Sequence, residues 1–220
     1  MPSNGPKSPA KPAQDGAGNG TKPRRRDLEV LNVAAQIFYE RGYASATVQD
    51  VADALGMLKG SLYYYIDSKE DLLYRLIAVI HDEVDALLAL LSAEEQLSPI
   101  ERLELYARRV VEYNAKNLTR ISVYYHDIDQ LTDPRRKELL SRRRVHERYV
   151  ADLIREAQAD GDVASDLDPK LLSNCVFGTI IWMYRWYKPG GEFSVEELSD
   201  TATRFVRSGL SVPPTRAGQP

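Results

Sequence analysis

Apolar side chains recur at three-and-four spacing across residues 27–210, and caps and glycines cut that run into segments. Such a chain can bury its stripes only as packed helices, because a half-buried strand needs period two and no stretch alternates convincingly. Leu28, Leu31, Ala35 and Phe38 share one face, and Gly42 is placed to stop their helix. Thr47 and Asp50 have the spacing of a capping box ahead of Val48, Val51, Ala52 and Leu55, with Gly56 as the stop. A short helix is expected over 58–65. Ser68 with Asp71 repeats the capping signature before a long stripe of Leu73, Leu76, Ile77, Ile80, Val84, Leu87, Leu88 and Leu91. Ser98-Pro99, Asp133-Pro134 and Asp168-Pro169 each begin a further helix, the first with Ile100, Leu103, Ala107 and Val110 inward. Gly161 and Pro189-Gly190-Gly191 supply stops, and Ser194 with Glu197 opens a last helix through Leu198, Ala202 and Phe205 to Gly209. The fold class is all-α.

Composition narrows what such a bundle can do. Against 29 Lys and Arg stand 32 Asp and Glu, a formal charge of -3 with a pI near 5.7, which excludes a polycation that coats nucleic acid by bulk charge. Lys7, Lys11, Lys22, Arg24, Arg25 and Arg26 against Asp15 give the first 26 residues a net charge of +5, whereas residues 24–75 hold seven basic and eight acidic side chains. Residues 1–23 are poor in apolar side chains and rich in Pro, Gly and Lys, so they are expected to be a disordered tail, as are residues 211–220. One cysteine, Cys175, excludes a disulfide framework and a thiolate-built zinc site; its apolar neighbours are expected to keep the thiol inert, in a reducing cytoplasm. No apolar core of signal-peptide length opens the chain, so neither secretion nor a membrane anchor is indicated. The longest apolar stretch, 171–187, is short for a bilayer and contains Ser173, Asn174 and Arg185; it reads as one buried helix.

The informative segment is 47–69, TVQDVADALGMLKGSLYYYIDSK. A capped helix, a turn containing Gly56, and a second short helix that starts on Lys59, Gly60 and Ser61 are the parts of a helix-turn-helix. Small residues at that start let the backbone approach base edges, and Tyr63, Tyr64 and Tyr65 are too many for so short a helix to bury. At least one tyrosine should face a DNA backbone.

These residues resemble the TetR family of transcriptional repressors. The matching pieces are AAQIFYERGY, the T-x-x-D-V-A-x-x-L-G segment from Thr47, the K-G-S-L-Y-Y-Y-I stretch and the D-S-K-E-D-L-L that opens the fourth helix, together covering about residues 24–80. The resemblance implies phosphate contacts at Thr47, Tyr63 and Lys69 and a groove-facing surface of Lys59, Gly60, Ser61 and Tyr64. The arginines at 24–26 would add phosphate contacts as a flexible arm. Tyr64 stands where the family usually has His or another residue, and Ile66 where it has Phe, so the base preference stays open. The implied organisation is a three-helix helix-turn-helix DNA-binding domain over 24–84, joined by a long helix to a ligand-binding and dimerisation bundle over 85–210.

A helix-turn-helix monomer reads one half-site, so a homodimer is expected, with the apolar stretch 171–187 and the last helix as its face. Within that stretch, W-M-Y-R-W-Y-K-P-G-G from Trp182 sets two tryptophans beside a cation and a methionine, suited to a wide apolar cavity with one anchoring charge, Arg185. The R-W-Y-K-P-G-G run resembles TetR regulators that respond to acyl-CoA thioesters and control fatty-acid or steroid degradation. That resemblance implies an acyl chain among Tyr124, Tyr125, Phe177, Ile181 and Trp182. CoA phosphates would lie on cations drawn from Arg142, Arg143, Arg144 and Arg148, above all Arg144 and Arg148.

Other classes fare worse on the same residues. His81, His126 and His146 lie far apart in sequence with no metal-binding pair on one helix, Cys175 is the only thiol, and no glycine-rich loop follows a strand, so neither an enzyme nor a metal or cofactor site is expected. The expected protein is a cytoplasmic repressor released from double-stranded operator DNA by a small hydrophobic effector, with no membrane contact. A regulator of an efflux pump that answers to free lipophilic compounds, and a helical adaptor without DNA binding, remain as alternatives.

Overall fold

The computed structural model describes residues 25–211, with the side chains described from residue 26 on. The expected tail at 1–23, Arg24 of the arginine arm and residues 212–220 lie outside the described residues. Arg26 pairs with Glu29 at 2.7 Å, and Ser211 forms an isolated antiparallel bridge with Val163.

Among the described residues the chain is helical, and its caps are the ones the sequence spells. Helix α1 spans Arg25–Arg41, α2 Val48–Ala54, α3 Lys59–Leu62 and α4 Lys69–Ser92. Thr47 caps α2 in a full capping box with Asp50, and Ser68 caps α4. Gly42 and Gly56 take positive φ, 76° and 63°, where the chain turns between α1 and α2 and out of α2. Helix α3 is shorter than expected: it closes at Leu62, and Tyr63 to Tyr65 continue as turns.

The rest is α5 (Pro99–Lys116), α6 (Leu118–Asp127), α7 (Asp133–Ala159), α8 (Pro169–Ile181) and α9 (Val195–Leu210). Helix α5 packs on α7 and α9, α7 on α8, and α1 on both α4 and α6. The stretch 171–187 is not one helix. It ends at Ile181 and tightens into a 3₁₀ turn, Trp182–Arg185, in which Met183 is buried while Trp182 is exposed. Cys175 is exposed on α8, because its neighbours in sequence point to other sides of the helix. Phe205 is also exposed, since α9 buries a face centred on Ser199, Thr203, Val206 and Leu210. Ser199 and Thr203 can occupy that face because their hydroxyls donate to the carbonyls of Glu196 and Ser199 at 3.0 and 2.7 Å.

Two apolar clusters result. One joins α1 to α4 with Ile121, Val123 and Tyr124 of α6 and Leu139 of α7; the other fills the space among the end of α4, α5, α7, α8 and α9. The first cluster thus runs out of the N-terminal helices into the body. Polar contacts reinforce that junction: the Glu70 carboxylate accepts from Thr132 N and Oγ1 at 2.9 and 2.8 Å, and Arg135 reaches Asp71 at 3.4 Å while lying over the Tyr74 ring.

Candidate nucleic-acid interface and effector cavity

Helix α3 has one buried side chain, Leu62, which drops into the first cluster. At the exit Tyr65 is half-buried against the same cluster, whereas Lys59, Gly60, Ser61, Tyr63 and Tyr64 face outward, the last 89% exposed. Lys59 has no ion-pair partner among the described residues, and a Cβ built on Gly60 meets nothing within 4 Å, so no packing inside the chain calls for a glycine there. Leu58, which the sequence reading passed over, is 80% exposed at the start of the same face.

Thr47 and Lys69 are spent differently. The Thr47 hydroxyl donates to Asp50 Oδ2 at 2.7 Å and accepts from Asp50 N at 3.1 Å, so its single hydrogen is engaged in the cap. The hydroxyl and amide of Thr47 hold the Asp50 carboxyl below its ordinary range, and Arg41 adds an ion pair at 2.5 Å. Lys69 Nζ donates to the carbonyls of Tyr43, Ala46 and Ala44 at 2.7, 2.9 and 3.3 Å and lies 4.3 Å from the centre of the Tyr43 ring. All three ammonium hydrogens therefore tie the α1–α2 turn to the start of α4, and none is left for the phosphate that the resemblance implied.

At the seam between the two apolar clusters lies a cavity of about 50 Å³. The structure brings four of the eight expected effector residues to it, Tyr124, Tyr125, Phe177 and Ile181, with Ile80, His81, Tyr106, Asn114, Arg143 and His146 among the other lining residues. Tyr124 and Tyr125 stack with centroids 4.6 Å apart, and Tyr125 stacks on Tyr184 at 5.4 Å. Burial pushes the Tyr124 phenol up to about 12, with Arg143 opposing, and raises Tyr125 as well.

The other four expected residues stand elsewhere. Trp182 is 60% exposed, and Arg185 is engaged with His126 Nε2 at 2.6 Å on the outside. Arg144 and Arg148 face a separate groove of about 540 Å³ between α7 and α8, with Glu147, Arg155, Lys170 and Asn174. Helix phase explains the split, since consecutive arginines on α7 point about 100° apart. Arg142 turns to α4 and pairs with Asp82 and Asp85 at 2.7 and 2.5 Å, while Arg143 lines the cavity and donates from Nε to Glu147 at 2.9 Å. Arg143 was visible in the sequence as one candidate among several; the sharper signal is its place on the inward line Leu139, Arg143, His146 and Val150. His81 shares the inward side of α4 with Ile77, Val84 and Leu88.

Among the described residues no helix is long and apolar enough to cross a membrane, and no group of three His, Cys, Asp or Glu is placed to hold a metal ion.

Comparison with known proteins agrees with this geometry. Residues 30–76 match the family of bacterial regulatory proteins, tetR family, and residues 96–210 match the tetracyclin repressor-like C-terminal domain. The HTH-type transcriptional repressor KstR2 of Rhodococcus jostii is 32% identical over 92% of this chain and 97% of its own. The solved structure of the ketosteroid transcriptional regulator KstR2 of Mycobacterium tuberculosis superposes with a TM-score of 0.81 at 26% identity, covering 87% of this chain and 98% of that one. AibR, solved in complex with isovaleryl coenzyme A and operator DNA, shares the fold with a TM-score of 0.75 at 24% identity, over 82% of this chain and 97% of that one. An N-terminal helix-turn-helix with its outer face free, carried on a helical body and matched over both parts, places this chain in the TetR family of bacterial transcriptional regulators, as a DNA-binding regulator and not an enzyme.

Proposed function

We propose that this regulator is a homodimeric, cytoplasmic repressor that reads its operator through α3 and is released by a hydrophobic effector of the acyl-CoA class. The observation that carries the DNA reading is the outer face of α3. Lys59, Gly60, Ser61, Tyr63 and Tyr64 are all exposed, with Lys59 unpaired and Gly60 open to a close approach. Lys59 is the groove-reading cation, and Tyr63 and Tyr64 offer hydroxyls to phosphate and groove. Thr47 and Lys69 set the frame that holds them.

Large apolar side chains exposed on α8, the turn after it and α9, including Leu171, Trp182 and Phe205, support a dimer face there. Two copies joined by it would present two α3 helices to half-sites about one DNA turn apart, roughly 34–36 Å.

The effector reading rests on the seam cavity with the α7–α8 groove beside it. Arg144, Arg148 and Lys170 in that groove are without ion-pair partners among the described residues and suit the phosphates of CoA. The Arg143–Glu147 pair stands between groove and cavity, each partner lining one of them. At about 50 Å³ the cavity is far below the roughly 300–1,000 Å³ of a drug-sized site, so an effector has to enlarge it. Its lining comes from both apolar clusters, so enlargement shifts the population away from the arrangement that fits DNA.

The test is a gel shift on the promoter of the regulator's own gene at about 150 mM salt. Specific retardation, weakened by Lys59→Ala and reversed by long-chain or steroid-derived acyl-CoAs but not by the free acids, is the expected result. No specific retardation would overturn the repressor reading, and release by free lipophiles alone would assign the efflux type of regulation instead.

A further inference from the structure

The seam cavity keeps two polar atoms that no described residue satisfies. Tyr124 is 4% exposed and its Oη has no hydrogen-bond partner; His81 is 3% exposed and its Nε2 has none. Both side chains line the same cavity, their rings 5.4 Å apart and edge to face. Arg143 lies beside them: it lines the cavity, its Nε donates to Glu147 at 2.9 Å, and its side chain is partly open to solvent. The remaining lining is mainly aliphatic and aromatic, including Ile80, Val84, Val110 and Ile181.

An unpaired buried hydroxyl or ring nitrogen costs stability, and cores without a ligand ordinarily avoid it. Burial beside His146 and Arg142 holds the His81 imidazole down to about 4, so at neutral pH it adds no charge and Arg143 supplies the positive end. A phenol, a neutral imidazole and a guanidinium around apolar walls form a set rich in donors, complementary to an oxygen acceptor. We infer that Tyr124, His81 and Arg143 read an oxygen function, a ketone or a carboxylate, at the buried end of an otherwise apolar effector. The inference rests on the reading of this cavity as the effector site and adds what the effector's inner end must carry. A purely hydrocarbon chain would leave Tyr124 Oη and His81 Nε2 unpaired, whereas an oxygenated one pairs them.

The test uses the full chain and calorimetric titration with decalin, 2-decalone and decalin-2-carboxylate, for the wild type and Tyr124→Phe. Loss of an unpaired buried hydroxyl leaves the variant's Tm at or above that of the wild type, which establishes that it folds. The wild type is expected to bind one oxygenated compound about tenfold more tightly than decalin, a margin of the size one hydrogen bond supplies. Tyr124→Phe should bring that preference to within about twofold. Preference for the ketone or for the carboxylate names the oxygen function. Equal binding of all three, or a preference that survives in Tyr124→Phe, overturns the inference and leaves the effector reading standing. Failure of all three to bind while acyl-CoAs still release the operator also overturns it. Failure in both assays overturns the two together.

Discussion

On the outer face of α3, the side chains of Lys59, Ser61, Tyr63 and Tyr64 are exposed and make no hydrogen bond or ion pair among the described residues; in the seam cavity, Tyr124 Oη and His81 Nε2 have no hydrogen-bond partner there either and are buried. The first arrangement costs almost nothing, because water satisfies exposed groups until a partner displaces it. The second weakens the fold for as long as the cavity stays unfilled. The N-terminal helices can therefore be held rigidly by caps and by Leu62 while they keep a free face, whereas the body carries the cost of two unpaired buried atoms. The two regions are not independent, because the first apolar cluster runs from Leu62 and Phe38 through α4 to Ile121 and Leu139.

The largest expected effect tests that continuity. Leu62 is fully buried and is the one side chain that anchors the four-residue α3, so Leu62→Ala should cost about 4 kcal/mol and abolish operator binding. Both tryptophans, Trp182 and Trp186, lie in the body, so their fluorescence during urea unfolding reports that part alone. The tryptophan transition should move to lower urea along with the loss of helix signal. A transition left in place would split the molecule into two separately folding units and break the comparison at its junction.

A slightly smaller effect sharpens the other side. His81 titrates near 6.5 when unfolded and is held down to about 4 when folded, chiefly by burial and secondly by His146 and Arg142. Below about pH 6.5 the unfolded chain takes up a proton that the folded chain refuses until about 4, so its contribution is present above that window and lost as pH falls through it. The linked loss is about 3 kcal/mol, and His81→Leu should flatten stability against pH over that interval, as read from urea midpoints. An unchanged slope in the variant would assign the acid lability to another group.

How much the sequence reveals follows the same division. The N-terminal helices are legible because each is announced locally: Thr47 with Asp50, Ser68 with Asp71, and glycines where φ turns positive. The face of α3 is legible for a similar reason, since a helix this short can bury little. In the body the caps at Ser98, Asp168 and Ser194 are announced as plainly, but the apolar pattern misleads. The stretch 171–187 is apolar on most sides, so it carries no face and no marker for the break after Ile181, and the bend at Asn117 between α5 and α6 passes unseen. Buried Ser199 and Thr203 mask the true face of α9, from which Phe205 points away. The arginines of α7 look alike in sequence, and only their phase against Leu139 and Val150 separates Arg143 at the cavity from Arg144 and Arg148 at the groove.

Lys69 provides the finest test, because resemblance and geometry assign it different work. A phosphate contact would make it part of the electrostatic term of DNA binding, and removing it would lower the slope of log affinity against log salt by about 1. The geometry instead spends its three hydrogens on the carbonyls of Tyr43, Ala44 and Ala46, at the turn that sets α2 and α3 against α4. Lys69→Met keeps an unbranched side chain one atom shorter and removes the donors. It should cost about 2 kcal/mol, the scale of charge-assisted hydrogen bonds at a partly buried site. Operator affinity should fall modestly through a loosened frame, with the salt slope the same as in the wild type. A slope reduced by about 1 with unchanged stability would restore Lys69 to the DNA face and show that its three carbonyl contacts give way when phosphate arrives.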